Sequence, residues 1–128
     1  MSSALVWQIV KGNHAFVRKG LNGVVFSAEA GNVYNKNSYK CSGLANTNHV
    51  DISVDAKADA VKFGLGSRKN AQKPKKNTAR FTVKQNARRA LQSVGKQVAS
   101  FRPDLKKGAV ARMAAIQKSL RVKKATKA

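Results

Sequence analysis

Apolar and polar residues alternate most cleanly over residues 49–55, where Val50, Ile52 and Val54 face one way and Asp51, Ser53 and Asp55 the other. A period of two marks a strand with one buried face. Residues 60–66 repeat it through Val61, Phe63 and Leu65, and the short link Ala56-Lys57-Ala58-Asp59 fits a hairpin. Upstream, residues 15–19 and 24–28 flank Gly20-Leu21-Asn22-Gly23, and an Asn-Gly turn between β-branched runs predicts another hairpin. Residues 29–37 read as loop, and 38–44 as a further short strand closing at Gly43. At the start, Leu5/Ile9 and Val6/Val10 make i,i+4 pairs after Ser2-Ser3, which can cap a helix. Leu5, Trp7 and Ile9 also alternate as in a strand; a short helix ending at Gly12-Asn13 is the favoured reading.

The period then changes. Over 81–101, Ala87, Leu91, Val94, Val98 and Phe101 step by three and four, which draws one stripe along a helix. Pro103 ends it, and Asp104 is placed to cap a second helix over 105–120. Its stripe is Leu105, Ala109, Met113, Ile116 and Leu120. Gly95 and Gly108 are weak points, each costing about 1 kcal/mol relative to alanine. Residues 67–78 keep no apolar period and read as a linker, and 121–128 as a basic tail unstructured without a partner. The expectation is an α+β protein: a short N-terminal helix and a small antiparallel β-sheet, then two basic C-terminal helices and a flexible basic tail. Its units are an α+β body over 1–67, a linker over 68–80, a helical region over 81–121 and a tail over 122–128.

Charge follows the same division. The 128 residues hold 26 Lys and Arg against 5 Asp and Glu, a net +21. Residues 1–64 carry seven cations and four acids, a net +3; residues 65–128 carry nineteen and one, a net +18. With 42% hydrophobic residues the chain can bury a core, so the charge does not imply disorder throughout. There is no apolar run of about 18 residues to cross a membrane. The first ten residues lack the basic start and small-residue cleavage site of a secretory signal. Cys41 is the sole cysteine, which excludes an internal disulfide or a multi-cysteine zinc site and reads as a small buried residue. His14 and His49 are too few for a metal centre.

Catalysis is the weakest reading. Asp51 and Asp55 share a strand face exposed to water, not the cleft an acid–base pair needs, and Cys41 with His49 has no orienting third residue. Gly64-Leu65-Gly66 is only a fragment of a phosphate-binding loop. The expectation is therefore no catalytic residue, no metal, no cofactor, no membrane and no small-molecule substrate. Unbalanced cations on a loop, two helices and a tail instead fit a polyphosphate backbone, lysine as a point charge and arginine as a fork. The candidate contacts are Lys36, Lys40, Arg68, Lys69, Lys73, Lys75, Lys76, Arg80, Lys84, Arg88, Arg89, Arg102, Lys106, Lys107, Arg112, Lys118, Arg121, Lys123 and Lys124. Tyr34 and Tyr39, beside Lys36 and Lys40, are candidates for stacking on unpaired bases, whereas Trp7, Phe63 and Phe101 read as core. No helix-turn-helix, zinc-finger, basic-zipper or RNA-recognition-motif pattern is present, so shape and backbone are the expected targets.

Three stretches carry a family resemblance: LVWQIVKGNHAFVRK over 5–19, NKNSYKCSGLAN over 35–46, and a third from Asn86-Ala87-Arg88 through Arg102-Pro103-Asp104-Leu105 to Met113-Ala114-Ala115-Ile116. In this order they resemble the eukaryote-specific large ribosomal subunit protein 28 family, which is unrelated to the bacterial protein of the same number. The resemblance implies a structural, non-enzymatic component of the cytoplasmic ribosome that supports translation. Its implied partners are large-subunit ribosomal RNA and neighbouring large-subunit ribosomal proteins. It also implies passage through the nucleolus during assembly, with Lys73-Pro74-Lys75-Lys76 or the tail as an import signal. The sequence departs from the family pattern in its short tail after Leu120 and in Gly108. Two other classes compete: a DNA-compacting or chromatin-type basic protein, against which the near-neutral first half speaks, and a small nucleic-acid enzyme dependent on Asp51, Asp55 or His49.

Overall fold

The computed structural model describes residues 1–73 and 75–128, with Arg68 described by its backbone alone. Pro74 of the suggested import signal and the Arg68 side chain thus lie outside the described residues. Ser2 caps α1 (Ser3–Val10), its Oγ accepting from the Leu5 amide. The first hairpin pairs β1 (Val17–Lys19) with β2 (Val25–Ser27), antiparallel. A 3-10 turn over Leu21–Gly23 joins them, with Asn22 and Gly23 both at positive φ, as the Asn-Gly pair predicts. A single bridge from Phe26 to Lys36 ties the following loop to this hairpin.

The main sheet is a meander of β3 (His49–Asp55), β4 (Ala60–Gly66) and β5 (Thr78–Val83), all antiparallel. Two helices, α2 (Ala87–Phe101) and α3 (Lys106–Lys127), cover one face. The core lies between the two layers. Val50, Ile52, Val61 and Phe63 come from the sheet, Ala90, Val94 and Val98 from α2, and Leu105, Ala109, Met113 and Leu120 from α3. Both helical stripes therefore face inward. Burying that set is the main source of stability, because each large apolar side chain contributes about 1.5–3 kcal/mol.

The outer face of the sheet explains the glycines of β4. Gly64 lies opposite both Asp51 and Arg80, and Gly66 opposite both His49 and Thr78. A β-carbon on Gly64 would stand 2.8 Å from the Thr78 methyl, and one on Gly66 would enter the His49 ring. Their absence lets side chains of the two edge strands meet across the central one. Arg80 pairs with Asp51 at 3.6 Å, and His49 Nε2 lies 3.1 Å from Thr78 Oγ1. Gly64-Leu65-Gly66 is steric relief within a strand.

Several expectations are corrected. Residues 38–44 form consecutive turns rather than a strand. Ser42 Oγ accepts from the Ala45 amide, and Asn46 donates to the Tyr39 and Ser42 carbonyls, so side chains satisfy backbone that a ladder would otherwise pair. The helix expected from residue 81 starts at Ala87, because Phe81 and Val83 belong to β5 and Asn86 caps α2 by accepting from the Arg89 amide. Asp104 caps nothing: a 3-10 turn over Pro103–Leu105 precedes α3, and Asp104 is held by Arg102 instead. The flexible tail is helical, since α3 continues to Lys127. Trp7 is only half-buried, and no residue of α1 is fully buried, so α1 adds little to the core.

Candidate nucleic-acid interface

Packing decides which cations face outward. With the apolar stripes turned to the sheet, Arg88, Arg89 and Lys96 of α2 are exposed, as are Lys106, Lys107, Lys118, Arg121 and Lys124 of α3. Neither helix contains an acid, and none of these eight side chains has a carboxylate partner among the described residues. On α3, Lys118/Arg121 and Arg121/Lys124 sit three apart, where like charges cost a few tenths of a kcal/mol per pair. The surface is thus under electrostatic strain that a bound polyanion relieves.

Other candidates extend this surface. Lys69, Lys73, Lys75 and Lys76 are exposed on the segment between β4 and β5, and Lys84 on the turn before α2. Lys36 and Lys40 are exposed in the loop between β2 and β3. Arg80 is exposed but shares its charge with Asp51.

Three candidates are committed inside the molecule. Arg102 donates from Nε and Nη2 to both Asp104 oxygens, at 3.2 and 2.6 Å, and from Nη1 and Nη2 to the carbonyls of Asn48 and Lys40. It staples the end of α2 to the loop before β3. Arg112 crosses from α3 to the sheet, its Nε donating to the Ile52 carbonyl at 2.9 Å and its Nη1 to Asn35 Oδ1 at 2.9 Å and to the Val33 carbonyl. Lys123 is bonded to Asp59, at the tip of the β3–β4 hairpin, and Lys127 reaches the other oxygen of that carboxylate at 3.6 Å. These contacts anchor the last turns of α3, which is why the tail is ordered. They also depress acid titration. The Lys123 hydrogen bond, with the charges of Lys123 and Lys127, holds Asp59 below the usual carboxylate value, and the Arg102 bond does the same for Asp104.

The two tyrosines have protein neighbours. Tyr34 lies over Gly108 of α3, whose missing β-carbon leaves room for the ring. Gly108 is a packing site rather than a helix defect. The Tyr39 hydroxyl is 2.6 Å from Ser3 Oγ, and its ring is tilted against Trp7 at 6.3 Å. Both residues keep more than a third of their surface exposed.

Two cations of this face are not among the sequence candidates: Lys96, on the outward side of α2, and Lys127. The signal for Lys96 is in the chain, because it stands seven residues after Arg89 and so on the same helix face. Nothing local marks the pairing of Lys127 with Asp59. The residues considered for catalysis are engaged elsewhere: Asp51 with Arg80, Asp55 with Lys62 at 3.3 Å, and His49 with Thr78, while Cys41 is buried. Among the described residues, no three His, Cys, Asp or Glu side chains gather to hold a metal, and no helix is long and apolar enough to cross a membrane.

A two-layer α+β body whose helices turn a carboxylate-free cationic face outward defines a small basic α+β protein. Residues 5–119 match the Ribosomal L28e protein family, and the chain belongs to that family. Among its relatives, the large ribosomal subunit protein eL28 of Dictyostelium discoideum is 36% identical over 122 residues, covering 94% of this chain and 90% of that protein. The protein of the same name from Schizosaccharomyces pombe is 33% identical over 129 residues, covering 97% and 96%. The one from Caenorhabditis elegans is 48% identical over 63 residues, about half of each chain. Family membership makes the chain a structural ribosomal protein, not an enzyme.

Proposed function

We propose that the chain is a structural constituent of the cytoplasmic large ribosomal subunit. It binds ribosomal RNA through Lys and Arg contacts to phosphates and thereby supports translation. The observation that carries this reading is the outward face of α2 and α3, with eight exposed cations and no acid. Phosphate contacts fix position without reading sequence. A loop, two helices and a turn can follow an irregular RNA backbone where a single recognition helix would not. Arg102 and Arg112 support the binding face from within, since their guanidinium groups hold α2 and α3 to the body. Tyr34 and Tyr39 offer partial ring faces to unpaired bases at the edge of that surface.

Neighbouring large-subunit proteins are the partners that fit the opposite kind of surface. Helix α1 has no charged residue, and Leu5 and Ile9 are half-exposed on it. During assembly, Lys73, Lys75 and Lys76, or the basic tail, serve nuclear import and nucleolar passage. Sedimentation of a cell extract tests the main reading. The chain should travel with the large subunit and stay there in moderate salt. Release at low salt, or a preference for duplex DNA over ribosomal RNA, would favour a chromatin-type role instead.

A further inference from the structure

A cleft of about 400 Å³ opens between the tip of the β3–β4 hairpin, the turn from β5 into α2, and the last turns of α3. Its lining draws cations from two separate parts of the chain, Lys84 from the turn and Arg121 and Lys124 from α3. The floor is apolar, with Leu120 buried beneath it. Asp59, the acid on its wall, is already neutralised by Lys123 and Lys127 and so does not repel an anion there. Ala87, the first residue of α2, also lines the cleft, and the first turn of that helix holds no acid to oppose its positive end. One polar group on the wall lacks a partner among the described residues: Gln117 Oε1 is buried and accepts no hydrogen bond from them. The terminal torsion of glutamine is soft, so the amide can turn that oxygen toward the opening.

A lone phosphate would leave most of this volume empty, whereas clefts of roughly 300–1,000 Å³ commonly hold small organic ligands. We propose that the cleft holds one ribonucleotide of an RNA backbone. Its phosphate sits between Lys84, Arg121 and Lys124, and its ribose 2′-hydroxyl donates to Gln117 Oε1. The assignment rests on the RNA-binding reading above and sharpens it, because a 2′-hydroxyl contact is what separates RNA from DNA at a site.

The test uses the full chain with a short single-stranded RNA and the DNA of the same sequence. Combined Lys84→Ala, Arg121→Ala and Lys124→Ala should weaken RNA binding about tenfold and lower the salt slope by about 1. A charge-matched control, Lys11→Ala just after α1 with Arg18→Ala and Lys19→Ala on the first hairpin, should cost less than about threefold through the general field alone. Gln117→Leu should cost about fivefold on RNA and leave DNA unchanged, the loss of one hydrogen bond. All three cleft cations are exposed, so their removal spares the core; circular dichroism checks the fold, and Lys84→Ala alone, outside any helix, carries the test if the triple variant unfolds. Equal losses for the two triple variants, or a Gln117→Leu effect that is absent or shared by DNA, would overturn the cleft assignment while RNA binding stands. Wild-type binding that ignores salt would overturn the reading beneath it.

Discussion

Cations on the outer face of the sheet and cations on the outer face of the helices obey different rules. On the sheet, each acid has a cation across a strand or a turn: Asp51 with Arg80, Asp55 with Lys62. The charges cancel locally. On α2 and α3 the outward cations have no acid within either helix; Arg112 of α3 instead reaches sheet and loop oxygen atoms, and Lys123 and Lys127 are tied at the surface to Asp59. Net charge alone does not distinguish the two situations. What matters is whether a cation is spent on the fold or left without a protein partner, and in this chain the boundary runs within α3 and at the end of α2 rather than between halves of the sequence.

The comparison can be broken at its foundation first. Phe63 is 2% exposed between the sheet and both helices, and Phe63→Ala should cost about 3–5 kcal/mol in denaturant unfolding. A much smaller cost would mean that the layers are not held by this core. The next test separates spent from unpartnered cations. Arg112→Met strands the Ile52 and Val33 carbonyls and should cost about 1–3 kcal/mol, whereas Arg88→Met should stay within about 0.5 kcal/mol. Equal costs would erase the distinction. Gly108→Ala sharpens it further. In an exposed helix the change would gain about 1 kcal/mol, but here the new methyl meets the far end of the Tyr34 ring, which must swing outward, so the unfolding midpoint should rise by less than that gain.

The smallest effect is titration of Asp59. Its native pKa is depressed by Lys123 and Lys127, so its contribution is complete above the ordinary carboxylate value of about 4 and is lost as pH falls through the lower native value. Thermal melts from neutral to acid pH should therefore fall less steeply for Asp59→Asn than for the wild type. Identical slopes would show that the tail ion pairs do not contribute.

Much of this architecture was legible in the chain. Alternation at Val50, Ile52, Val61 and Phe63, and the stripes through Val94, Val98, Ala109 and Met113, are one-dimensional records of burial, and the structure buries all of them. The turns over 38–44 escaped because their apolar residues mimic a strand while Ser42 and Asn46 satisfy the backbone locally. β5 escaped because Phe81 and Val83 continue into a helical pattern, and only Asn86 marks the break. The cationic face proposed for binding was legible as a set of cations but not as a direction. That Arg102 and Arg112 turn inward depends on carbonyls at Asn48, Lys40, Ile52 and Val33, which lie far away in sequence. The order of the tail likewise depends on Asp59, more than sixty residues upstream of Lys123.

If the unpaired cations of α2 and α3 bind phosphate, salt must compete with that binding. Binding of the intact chain to purified large-subunit ribosomal RNA should weaken by about 10³-fold or more between 50 and 200 mM salt, because each neutralised phosphate releases counterions. An affinity that stays flat across that range would mean that these cations do not bind phosphate.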